Sequence, residues 1–123
     1  MKLQHVSIVI PPGSEEKARG FFGELLGLRE RPPGEGLDPA IVIWFETGPG
    51  LELHLMLRDE EIGGQRHFCL EVDDLAAIRR RLEEADVETR EATPIVGRPR
   101  FFCRDPFGNL VELTHIEADV SRR

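Results

Sequence analysis

Three side chains in this sequence have types and positions that suit chemistry: His5, His67 and Glu112. Each lies in an apolar, strand-like run. Side chains alternate faces along a strand, so Glu112 shares a face with Thr114, while Val111 and Leu113 share the other. A carboxylate placed among apolar residues is costly unless something pairs with it. His5 and His67 stand on the opposite side of their strands from Val6, Ile8 and Ile10 and from Phe68, Leu70 and Val72. Two imidazoles and a carboxylate on separate strands suit a divalent cation, since imidazole accepts Fe, Ni, Co, Zn or Mn and a carboxylate adds charge and hardness.

The elements that position these residues repeat. Residues 3–10 alternate as a strand, ended by Pro11-Pro12-Gly13. Ser14 is placed to cap a helix in which Ala18, Phe21, Phe22, Leu25 and Leu26 recur at helical spacing through Gly27. Residues 28–31 read as an edge strand, 32–39 as a Gly/Pro loop, 41–46 and 51–57 as strands joined by a Gly-Pro-Gly turn. A polar stretch with Gly63-Gly64 follows, and the order restarts. Residues 66–72 read as a strand. Asp73 or Asp74 caps a helix with Leu75, Ile78 and Leu82 on one side. An edge strand over 87–90, a loop over 93–99, and strands over 100–104 and 110–116 complete it. Asp105-Pro106-Phe107-Gly108 supplies the last turn: Pro presets φ and Gly accepts a positive φ. Residues after Glu117 read as a frayed tail.

A repeat of roughly 60 residues implies two βαβββ halves, 1–61 and 62–123, in one α+β domain, a curved mixed sheet around a cavity. His5 and His67 occupy the same position in each half. The first-half counterpart of Glu112 depends on the register. Aligning the turn glycines, Gly50 with Gly108, selects His54; aligning Leu51-Glu52-Leu53 with Val111-Glu112-Leu113 selects Glu52. The glycine alignment preserves the turn and favours His54. Trp44 lines the cavity or packs the core. Phe101 and Phe102 alternate, so one is core and Phe102 is assigned to the ligand side. Arg98 and Arg100 follow Gly97 and either meet an anionic substrate or border a solvated loop. Cys69 shares a face with His67, and His115 lies on the face away from Glu112.

Composition narrows the partners. The net charge of −7 disfavours nucleic acid, which demands a basic patch. Arg79-Arg80-Arg81, followed by Glu83 and Glu84, reads as a solvated helix face, and Arg122-Arg123 is the other basic cluster. The two cysteines, Cys69 and Cys103, form no Cys-x-x-Cys pair and suit a reducing compartment. With no apolar run long enough for a signal peptide or a membrane span, a cytoplasmic protein is expected.

LQHVSIVI with His5, RHFCLEVDD with His67 and RDPFGNLVELTHI with Glu112 resemble the glyoxalase/bleomycin resistance/dioxygenase family, the vicinal oxygen chelate superfamily. The resemblance spans nearly the whole chain. It implies a homodimer of paired modules and a divalent metal on His5, His67 and Glu112, with His54 or Glu52 completing the set. It also implies a small substrate that chelates the metal through neighbouring oxygens, and lyase or isomerase chemistry through an enediolate or oxyanion. Glu52 would serve as general base beside Glu112, and Trp44, Phe102 and Arg100 would meet substrate. The alternatives are an extradiol-type dioxygenase, to which two histidines and a carboxylate also lend themselves, and a non-catalytic antibiotic-binding resistance protein. No match is evident to the cation loop and basic cluster of a thiol transferase acting on an epoxide antibiotic.

Overall fold

The computed structural model describes residues 1–117, so the tail after Glu117 and the Arg122-Arg123 pair lie outside the described residues. The chain divides into two compact units, Met1–Gly63 and Gly64–Arg123. The first holds β1 (His5–Ile10), α1 (Glu15–Ala18) continued by a π-helical segment (Arg19–Leu25), β2 (Arg29–Arg31), β3 (Val42–Gly48) and β4 (Leu51–Leu57). The second holds β5 (His67–Glu71), α2 (Leu75–Glu84), β6 (Thr89–Glu91), β7 (Arg100–Arg104) and β8 (Leu110–Thr114). Each unit is a four-stranded sheet, ordered β1-β4-β3-β2 and β5-β8-β7-β6. The β1–β4 and β5–β8 pairs are parallel and the others antiparallel, so both sheets are mixed and the class is α+β.

One face of each sheet is apolar and buried. Ile43, Phe45, Leu53 and Leu55 meet Phe21 and Phe22 in the first core; Phe101, Cys103, Val111, Leu113 and Leu82 form the second. Burying a side chain of the size of Phe or Leu contributes about 1.5–3 kcal/mol. The other face of each sheet carries polar and aromatic residues, among them Trp44 and His54 in the first unit and Phe102 and Glu112 in the second.

The first helix differs from the pattern in its sequence. Regular α-helix stops at Ala18, and Leu26 N–H bonds to Phe21 O at 3.0 Å, an i→i+5 step. Phe21 and Phe22 are adjacent, yet both are buried. The wider turn brings neighbouring positions closer to one face, which a strict α-helix would splay. Gly27 closes the segment at φ +77°. Ser14 does not cap this helix: its hydroxyl donates to the Pro11 carbonyl instead, because the Pro-Pro-Gly turn leaves that oxygen in reach. In α2 the cap is Asp74, whose Oδ1 accepts from Ala77 N–H at 3.0 Å, a contact worth about 1 kcal/mol. The triple arginine of α2 is not simply a solvated face. Arg79 turns onto the sheet, pairing with Glu91 at 2.7 Å and lying over the Phe101 ring at 5.2 Å.

The turn before β8 is fixed by one side chain. Asp105 Oδ1 accepts from Phe107 N–H at 2.9 Å and Asn109 N–H at 2.8 Å, and Oδ2 accepts from the Asn109 amide at 2.8 Å. Gly108 takes φ +103°, a conformation that a side chain would strain. Burial pushes the Asp105 carboxyl upward, against the hydrogen bonds from Asn109, Phe107 and Gly108 that hold it down.

Candidate functional site

The strand registers settle which residues are positional counterparts. Ser7, two residues after His5, pairs with His54, and His54 pairs with Trp44. Cys69, two residues after His67, pairs with Glu112, and Glu112 pairs with Phe102. His54 is therefore the equivalent of Glu112, and Trp44 of Phe102. Glu52 lies opposite His5, where the second unit has Leu110 opposite His67.

In the first unit three rings stack across the sheet. Trp44 lies on His54 at 4.0 Å between ring centres and 2° between planes, and His54 lies on His5 at 4.1 Å and 18°. Gln4 fixes the His5 ring. Its amide Nε2 donates to the Gly50 carbonyl at 3.1 Å, so its Oε1 faces His5 Nδ1 at 2.7 Å and accepts from it. Nδ1 then carries the hydrogen, and His5 Nε2 keeps its lone pair. His54 Nε2 lies 2.9 Å from Glu52 Oε1, so the two rivals for the same role are bonded to each other. That bond holds the Glu52 carboxyl below the ordinary carboxylate range. The Trp44 indole nitrogen is buried and has no hydrogen-bond partner among the described residues.

In the second unit His67 Nδ1 lies 3.0 Å from the Gln65 carbonyl, and Nε2 lies 3.1 Å from Glu112 Oε1. Both partners are acceptors, and a neutral imidazole has one N–H. With that hydrogen on Nδ1, the Nε2 lone pair faces a carboxylate, an arrangement that calls for a proton or a cation between them. Glu112 is nearly buried, and its Oε2 accepts from Arg100 at 3.2 Å. Arg100 also donates to the Thr93 carbonyl at 2.8 Å, which leaves its Nε buried without a partner. Phe102 meets His67 edge-on at 5.0 Å and takes the Arg100 guanidinium over its ring at 5.5 Å. Cys69 stands beside this group with its thiol pushed up to about 12, by burial first and then by the Glu112 charge. It is not a nucleophile at neutral pH. His115 bonds away from the group, to the Val72 carbonyl at 3.0 Å.

Each unit thus gathers a subset of the expected residues: His5, Glu52, His54 and Trp44 in one, His67, Glu112, Arg100 and Phe102 in the other. Among the described residues no group of three or more His, Cys, Asp or Glu lies close enough together to hold a metal ion. The donor chemistry nevertheless fits one. His5 donates Nδ1–H to Gln4 and leaves Nε2 available, and the Gln65 carbonyl offers His67 Nδ1 the same kind of acceptor, the outer-shell arrangement that orients metal-ligating imidazoles. Gln4 escaped the reading of the sequence; the acceptor for His67 is the main-chain carbonyl of Gln65, which carries no residue-type signal.

The family model described as Glyoxalase/Bleomycin resistance protein/Dioxygenase superfamily matches residues 2–113. The chain belongs to this superfamily. One curated relative is the ethylmalonyl-CoA/methylmalonyl-CoA epimerase of Cereibacter sphaeroides, 29% identical over 133 residues that cover 94% of this chain and 98% of the relative. Among solved structures, a glyoxalase family protein from Bacillus anthracis superposes with TM-score 0.86 at 27% identity, covering 95% of this chain and 96% of that one. TnmS3, an antibiotic binding protein from Streptomyces sp. CB03234, superposes with TM-score 0.72 at 22% identity, covering 95% and 97%; at that identity the likeness is one of fold. Superfamily membership accounts for the paired βαβββ plan, and relatives with enzyme names make enzyme-type chemistry a property of the superfamily.

Proposed function

We propose that the protein is a metal-dependent isomerase that inverts a carbon centre next to a carbonyl in a small acid or its thioester. The observation that carries this reading is the matched pair of first-strand histidines, each with an oxygen acceptor at Nδ1. His5, His54, His67 and Glu112 are the proposed donors for a divalent ion. In the same proposal the two units are halves of a single glyoxalase-like domain over residues 1–123, and the chain works as a homodimer. When bound, the ion supplies Lewis acidity to two neighbouring substrate oxygens. Glu52, held by its bond to His54, accepts the proton from the carbon as a carboxylate, and inversion is completed when a solvent-derived proton returns to the opposite face of that carbon. Glu112 stays oriented by Arg100. Trp44 and Phe102 offer apolar ring surface to the substrate body, and Arg100 adds positive charge.

The relative's name suggests the substrate class, a 2-substituted malonyl thioester, whose carboxylate and carbonyl oxygens can chelate together. The test is exchange of the C2 hydrogen of methylmalonyl-CoA for deuterium in D2O, with protein supplied with Co2+, Ni2+, Zn2+, Mn2+ or Fe2+ in turn. Exchange is expected with at least one metal, and Glu52→Gln should slow it by about 10²-fold or more with metal content unchanged. Full exchange in Glu52→Gln would remove Glu52 from the role of base, and no exchange with any metal would remove this substrate class. A second reading, sequestration of an aromatic molecule without turnover, draws support from the flat Trp44–His54–His5 stack. It predicts tight aromatic binding that survives metal removal.

A further inference from the structure

The second unit has a cavity that the proposed chemistry does not use. It lies between the start of α2 and residues 92–99, with a volume of about 580 Å³, in the range of small-molecule pockets. Phe101 forms part of its wall. Phe101 alternates with Phe102 along β7 and pairs with Leu113, so it stands on the sheet face opposite Glu112. The walls are mostly apolar, from Leu75, Ala76, Pro94, Ile95 and Phe101. Ile95, and Val96 beside it, are exposed apolar residues on the loop that borders the opening.

The charges around this cavity are unequal in availability. Arg79 is taken up by Glu91, Glu83 and the Phe101 ring. Arg100 is taken up by Glu112 and the Thr93 carbonyl. Asp74 accepts from Ala77 N–H. Arg98 is different: it lines the cavity, it is half-buried, and its guanidinium has no hydrogen bond or ion pair among the described residues. Its backbone is fixed by Arg98 N–H to the Ile95 carbonyl at 3.0 Å, so the side chain departs from an anchored point. Asp73, also on the lining, is an exposed acid that opposes a multiply charged anion.

We propose that this cavity is a second binding site, for a small monocarboxylate with an apolar body, whose carboxylate pairs with Arg98 and whose chain lies along Leu75, Ile95 and Phe101. A guanidinium matches a carboxylate through two parallel N–H donors, and one free cation amid apolar walls selects one negative charge at the end of a hydrocarbon. The site lies on the sheet face opposite the His67–Glu112 group and stands whether or not a metal binds there.

The probe is octanoate, titrated by calorimetry into the full chain in excess chelator, which keeps carboxylate–metal contacts out of the measurement. The expected result is saturable binding of one octanoate per chain, with octan-1-ol binding much more weakly. Arg98→Ala should weaken octanoate at least about tenfold, equivalent to about 1.4 kcal/mol. Ala76→Trp, at an exposed helix position that lines the cavity, should weaken it similarly by filling space. Both variants should keep the far-ultraviolet circular dichroism of the parent. No saturable binding, octan-1-ol binding as tightly as octanoate, or affinity unchanged in both variants would overturn the proposal.

Discussion

Gln4 carries more of the candidate site than its residue type suggests. One end of its amide is fixed by the Gly50 carbonyl, and the other sets the tautomer of His5. An outer-shell partner of this kind typically alters metal affinity by 10–100-fold. Gln4→Leu should therefore weaken Co2+ or Zn2+ binding by about tenfold or more, measured by competition with a chromogenic chelator. Unchanged affinity would mean that His5 needs no such orientation. Much of the site was legible from single residues. His5, His67 and Glu112 stood out because polar groups in apolar strands demand partners. The choice between His54 and Glu52 was not decidable by parity, since both lie on one face of β4. The β1–β4 register identifies the counterpart of Glu112 as His54, and the 2.9 Å contact makes Glu52 its neighbour. Gln4 was illegible because a glutamine beside a strand has no sequence signature until its side-chain oxygen is seen to meet a ring nitrogen, and at Gln65 the acceptor is a main-chain carbonyl that any residue would offer.

At the scale of elements, the strands follow from alternation and the turns from glycine, while the first helix departs from its pattern. Helical spacing at Phe21, Phe22, Leu25 and Leu26 fits an α-helix, and only packing reveals that adjacent phenylalanines both reach the core through a π-helical turn. Short edge strands were legible in place but offset by a residue or two at their ends. β2 adheres to β3 through charge: Glu46 accepts from Arg29 at 2.9 Å and from Arg31 at 2.8 Å. These hydrogen bonds, Arg29's first, lower the Glu46 carboxyl below its ordinary value. A depressed folded-state value means that the stabilisation is full above the unfolded-chain value and is lost as pH falls through the folded one. The parent should thus lose more of its melting temperature than Glu46→Gln between pH 6 and pH 3. Equal losses would show that the pair contributes nothing measurable, the usual fate of exposed ion pairs.

At the scale of the whole molecule, two units with the same strand order carry unequal chemistry. The first offers imidazole and indole, the second imidazole, carboxylate and guanidinium. The repeat visible in the sequence places one first-strand histidine and one partner position in each half. The homodimer that we propose is checked by sedimentation equilibrium at micromolar concentration. The expected mass is twice the 13.9 kDa of the chain, and a single-chain mass across that range would count against it.

The most direct test of the central claim is the metal content of untagged protein by plasma mass spectrometry, with His5→Ala/Glu112→Ala measured beside it. Metal close to one equivalent per chain in the parent, and lost in the double variant, is the predicted result. Nickel, cobalt or zinc would agree with isomerase or lyase chemistry, and iron would turn the reading toward oxygen chemistry. A parent that holds no metal even after reconstitution, or a double variant that holds as much as the parent, would contradict the account and leave these residues as the polar lining of a binding surface.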